Sequence, residues 1–201
     1  MLGTRGRYSG DVELTMDRDS AMRLINQHVS NDNLKKHMVA VGAIMRGLAS
    51  RLGEDQNLWG TVGLVHDIDF EETSMKEHGN KSSQLLGGVL PKEATDAIAA
   101  HNFENTGVKP DSKMAKALIA SDAVSGLIVA AALVMPSKSL SQVTADTLSK
   151  KLKDKDFARG ADRGKIRYCE QLGISTTDFL SISLESLHTV SRDIGLGDSM
   201  A

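Results

Sequence analysis

The chain has 201 residues, 40% of them hydrophobic and 25% charged, with a formal net charge of -2; that suits one soluble globular domain and excludes a purely disordered chain. The absence of a basic excess argues against a dedicated nucleic-acid binder, and 3% aromatic content leaves few stacking platforms for single strands. Six histidines beside a single cysteine, Cys169, exclude a disulfide scaffold and a cysteine-rich zinc module, so a metal here would be held by imidazole and carboxylate.

Residues 1–15 carry Arg5, Arg7 and three glycines but no apolar run, which predicts a flexible N-terminal tail and no signal peptide. Folded structure is expected over 16–201, starting where Asp17 and Asp19 precede Ala21-Met22. Leu34, Met38, Val41, Met45, Leu48 and Leu52 recur at steps of three and four, predicting a helix with one apolar stripe that stops near Gly53. A short helix is expected over Leu58 to Ile68. Pro91 suits a first helical turn and introduces Lys92 to His101. Asp111 is the expected cap of a long helix ending before Pro136. Ala115 to Met135 is the most apolar stretch, but Lys116 and Asp122 interrupt it well short of the roughly 20 residues a membrane span needs. It reads as a core helix, with no membrane association and a cytoplasmic location. Its Ile128 to Val134 run packs in the core or faces a second subunit, which leaves a homo-oligomer open. Further helices are expected over about Val143 to Leu152, Gly164 to Leu172 and Thr177 to Ile194. No alternating strand pattern occurs, so the predicted fold class is all-α.

Certain polar residues sit on faces that should be buried. His37 borders the stripe of the first strong helix, four residues from Val41. His66 and Asp67 end the apolar run Val62-Gly63-Leu64-Val65. Asp122 has Leu118, Ile119, Ser125 and Gly126 as one-turn neighbours, so its carboxylate should point into a packed face. A buried carboxylate pairs, binds a metal or takes up a proton; a salt bridge inside the bundle is the alternative to a metal. Two imidazoles and two carboxylates on three helices suit a divalent ion. His28 and His188 read as ordinary helix-face residues.

His37, then Leu64-Val65-His66-Asp67-Ile68-Asp69, then Ala120-Ser121-Asp122 resemble, in order and helical context, the HD-domain superfamily of metal-dependent phosphohydrolases. The resemblance covers roughly Met22 to Met135 and is nearest to the small HDIG-type branch, although Asp69 stands where that motif has Gly. It implies a helical HD-type bundle with a metal-binding core over about 22–135, C-terminal helices over about 140–195, and a metal held by His37, His66, Asp67 and Asp122. In two-metal branches, histidines between the doublet and the last Asp complete a second site, with the doublet Asp bridging. His78 and His101 occupy that interval. Read without the resemblance, His78 is a loop residue and His101 a helix C-terminal histidine facing the dipole. The cofactor is thus one or two divalent ions, with Mn, Fe, Mg, Zn, Co and Ni undistinguished.

The familiar carboxylate three residues after the doublet Asp is Phe70 here, which leaves Asp69 or Glu71, beside Asp67, to orient a water or protonate a leaving group. Lys150 to Arg167 holds eight basic residues against three aspartates, a local charge of +5 that leaves -7 for the rest. Lys155, Arg159 and Arg163 there are candidates for gripping a substrate phosphate, against the reading of a solvated helix face. The expected function is metal-dependent hydrolysis of a small phosphoester, a nucleotide or related metabolite rather than a long nucleic acid, by a metal-activated water. A non-catalytic nucleotide-binding module and a di-iron HD-type oxygenase are the alternatives.

Overall fold

The computed structural model describes residues 16–198; the expected tail lies outside them. Ten α-helices follow in order among the described residues: α1 (Arg18–His28), α2 (Asp32–Leu52), α3 (Gln56–Val65), α4 (Asn80–Leu86), α5 (Lys92–His101), α6 (Phe103–Thr106), α7 (Lys113–Leu133), α8 (Ala145–Lys153), α9 (Arg163–Ile166) and α10 (Thr176–His188). Short 3-10 stretches lie at Leu140–Gln142 and Arg167–Leu172. Beyond one isolated bridge, Gly87 to Leu90, no β-pairing occurs among the described residues, so the all-α expectation holds.

The stripe read from the sequence forms the core face of α2, where Met38, Val41, Met45 and Leu48 are fully buried. Asn31 caps this helix through the Asn33 and Leu34 amides, and Gly53 closes it in the left-handed conformation. α2 packs closely on α3. A side chain at Gly63 would lie 2.9 Å from Gly42 Cα, Met45 Cγ and the Val41 carbonyl, so the two helices nearly touch backbone to backbone there. Such contact fixes the spacing between His37 and the end of α3.

α7 runs through the middle, against α2, α5, α8, α9 and the Arg167–Leu172 stretch. It is long and apolar enough to cross a membrane, yet in this fold it is mostly buried against other helices. Leu127, Ile128, Ala131 and Ala132 pack in the core, while Leu133 and Val134 at its end are exposed.

Several predicted boundaries move. α3 stops at Val65 rather than Ile68, leaving His66 to Asp69 in turns. Ser112, not Asp111, caps α7, its hydroxyl accepting from the Ala115 amide at 3.0 Å. The expected Gly164 to Leu172 helix is one α-turn followed by 3-10 geometry. The last helix ends at His188 because the Thr189 and Val190 amides tighten onto the Ser186 and Leu187 carbonyls, both at 3.2 Å. α4 was not anticipated from the sequence.

Candidate metal centre

His37 on α2, the His66-Asp67 doublet after α3, His78 before α4, His101 at the end of α5 and Asp122 on α7 converge on one point. His37 Nε2 lies 3.1 Å from Asp122 Oδ1 and 3.6 Å from Asp67 Oδ2. Asp67 Oδ1 faces Nε2 of His66 at 3.2 Å, of His78 at 3.2 Å and of His101 at 3.4 Å. The His78 and His101 Nε2 atoms are 2.9 Å apart. Two ligand triads therefore come together, His37-His66-Asp122 and His66-Asp67-His101, with the donor atoms of each within 4.8 Å of one another.

Each of these imidazoles is held from behind at Nδ1. His66 Nδ1 donates to the Gly63 carbonyl at 2.8 Å and His101 Nδ1 to the Ile98 carbonyl at 2.5 Å. Both carbonyls lie three residues back at a helix end, where the last carbonyls have no amide partner within the helix. His78 Nδ1 donates to Asp69 Oδ1 at 2.7 Å. The Ser125 hydroxyl donates to the Asp122 carbonyl at 2.8 Å, which leaves its oxygen to accept from His37 Nδ1 at 3.1 Å. With Nδ1 held from behind, every Nε2 is turned inward, the orientation outer-shell partners impose on metal-ligating histidines. His66 Nε2 is buried without any hydrogen-bond partner. An orphaned acceptor facing carboxylates is the donor set a divalent cation satisfies, so the residues present fit a metal.

The electrostatics agree. Burial disfavours the Asp67 charge, yet His66, His101 and His78 around it hold its carboxyl well below the usual range. Burial likewise opposes ionisation of Asp122, but the His37 bond together with the His66 and His37 charges outweighs it and leaves its carboxyl lowered. His66, fully enclosed, is pushed down to about 4 by desolvation and stays neutral. Burial also works against protonation of His37, but the Asp122 bond and the two carboxylate charges leave its pKa raised. The centre opens on one side: His37 and Asp122 are 26% and 32% exposed, His66 not at all. Phe70, 45% exposed, sets its ring edge-to-face to His78, the centroids 5.1 Å apart.

Other candidates stand elsewhere. Asp69 is wholly buried, one oxygen on His78 and the other on the Gly79 and Ser82 amides at 3.0 and 2.9 Å, which leaves no contact for a water or leaving group. Glu71 reaches back across the chain to the Asn31 amide at 2.8 Å and the Ser30 amide at 3.0 Å, fastening the α1–α2 connection. These bonds occupy both carboxylates. In the basic segment, the Arg163 guanidinium donates to the carbonyls of Asp154, Phe157, Ala158 and Ala161 and so knots its own loop. Arg159 pairs with Asp156 at 2.9 Å, and Lys155 is exposed. Among the described residues, none of the three makes a hydrogen bond or ion pair to a residue of the centre. His28, expected to be unremarkable, bonds Glu72 at 2.9 Å at the end of α1. Ser125, the backer of His37, was visible beforehand only as a hydroxyl one turn from Asp122. A cavity of about 650 Å³ between α1, α2 and α3, lined by Val39, Arg46, Asn57 and Leu64 among others, contains none of the metal-centre residues.

Residues 34–127 match the family model described as HD domain, a span that includes every residue of the centre from His37 to Asp122. A 96-residue stretch is 33% identical to Ribonuclease Y of Acholeplasma laidlawii (strain PG-8A), covering 46% of this chain and 18% of that protein. The chain thus matches less than a fifth of that relative's length. No solved structure matches the chain. Helical fold and residue order agree with the HD-domain match over residues 34–127.

Proposed function

We propose that this chain is a divalent-metal-dependent phosphohydrolase acting on a small phosphoester, of nucleotide type, through a two-ion centre. The observation that carries the reading is the set of Nε2 atoms of His37, His66, His78 and His101 gathered around Asp67, each with its Nδ1 already tied. His37, His66, Asp67 and Asp122 would hold one ion, and His78 and His101, with Asp67, the other. Bound there, divalent ions supply an acidified water and neutralise charge on phosphoryl oxygens. The chain's own part is to aim the nitrogens, exclude water around His66, and leave the His37–Asp122 side open to substrate. The Ribonuclease Y match supports phosphodiesters as a class to try, short RNA included.

The test is a screen of the chelated chain, reloaded separately with Mn, Fe, Mg, Zn, Co or Ni, against nucleoside mono- and polyphosphates, cyclic nucleotides, simple aryl phosphates and a short RNA. Phosphate release or diester cleavage should require metal and fall at least a hundredfold in Asp67→Ala. A loaded chain that turns over none of these substrates removes the proposal.

A further inference from the structure

The loop that carries His78 is built around Asp69 in a way a mere connection does not need. Asp69 Oδ1 accepts from His78 Nδ1 at 2.7 Å, while Oδ2 accepts from the Gly79 amide at 3.0 Å and the Ser82 amide at 2.9 Å. The Asp69 amide in turn donates to the Ser82 hydroxyl at 3.3 Å. Thus one buried carboxylate caps α4 and aims an imidazole. Gly79, at φ +86, is the hinge between those roles: a side chain there would meet the Ile98 carbonyl at 3.2 Å and His101 Cε1 at 3.3 Å. Asn102 closes the loop from the other side, donating to the Met75 and His78 carbonyls at 2.8 and 2.9 Å. His78 and His101 are therefore brought together, Nε2 to Nε2, by a scaffold separate from the α2–α3 seam that sets His37 and His66.

We infer that Asp69 is the positioning residue of the second ion: acting through His78, it fixes the Nδ1–H tautomer and ring orientation that a divalent cation needs there. This rests on the two-ion reading above. The geometry also says why asparagine cannot substitute. The Gly79 and Ser82 amides claim the one carbonyl oxygen of Asn, which turns its NH2 toward His78 Nδ1. That makes Nδ1 the acceptor and moves the ring proton to Nε2, where it blocks coordination.

The experiment uses the full chain, stripped and titrated with Mn2+, read by ion content and by electron paramagnetic resonance, which separates a spin-coupled pair from an isolated ion. Wild type should bind two coupled ions. Asp69→Asn should bind the second at least tenfold more weakly, giving the isolated-ion spectrum, as His78→Ala does, and adding Asp69→Asn to His78→Ala should change nothing further. Two ions in Asp69→Asn at wild-type affinity, or loss of the first ion when it is added to His78→Ala, overturns the inference alone. A wild-type chain that never takes more than one ion overturns the two-ion reading and the inference with it. Because a buried substitution can compromise folding, the same question is put to the wild type by 15N NMR of labelled histidine: loaded His78 should carry its proton on Nδ1, and an Nε2–H tautomer overturns the inference.

Discussion

His78 meets a carboxylate at each ring nitrogen, Asp67 at 3.2 Å and Asp69 at 2.7 Å; burial works against its charge, but these bonds raise its pKa to about 9. A raised pKa stabilises the fold below the unfolded value near 6.5, and that contribution is lost as pH climbs through about 9. His66 has the opposite sign: lowered to about 4 by burial, it stabilises above 6.5 and the contribution is lost as pH falls toward 4. The thermal midpoint of the chelated protein should accordingly peak near pH 6.5 and fall on both sides. With saturating divalent ion the alkaline fall should vanish, since the cation takes the place of the His78 proton; an unchanged alkaline limb contradicts this. Ser125 allows a simpler check. Ser125→Ala removes the acceptor behind His37 Nδ1 and should weaken ion binding roughly tenfold, by calorimetric titration, while leaving the fold intact.

At the scale of elements, helix ends do much of the chemistry. His66 and His101 each follow or close a helix and lock onto a carbonyl three residues back, so the points at which α3 and α5 stop matter as much as their faces. The α2–α3 seam sets the distance between the first two histidines. Gly63→Ala should lower stability by about 1–3 kcal/mol in urea unfolding, the usual cost of overpacking, and weaken the ion held by His37 and His66 in the same protein. These elements also show what the sequence made legible. Periodicity located α2, Pro91 the start of α5 and an apolar stretch the core of α7, because stripes, prolines and apolar runs are local signals; the histidines and aspartates singled out in order come together in the structure. α4 escaped because its cap is Asp69, thirteen residues before Ser82, and the bonds of Asp69 to the Gly79 and Ser82 amides and to His78 carry no sequence signature. The carbonyls of its own loop that accept from Arg163 are likewise invisible in the residue order.

Across the whole molecule, the centre ties α2, α3, α5 and α7 at one point, so ion binding and global stability are linked. Saturation at a thousandfold excess over Kd adds about 4 kcal/mol, which for a chain of this size raises Tm by about 10 °C; differential scanning calorimetry with and without chelator measures it. A shift near zero would mean the ions do not bind the folded centre. The uneven burial of the centre bears on kinetics as well. His66, His78 and His101 lie beneath a mouth formed by His37 and Asp122. With two ions bound, the one at the mouth acts as a stopper for the one below. Exchange should therefore run last in, first out: an isotopically labelled ion loaded first should outlast one loaded second, and a chelator pulse should yield a half-filled protein whose remaining ion is the deep one.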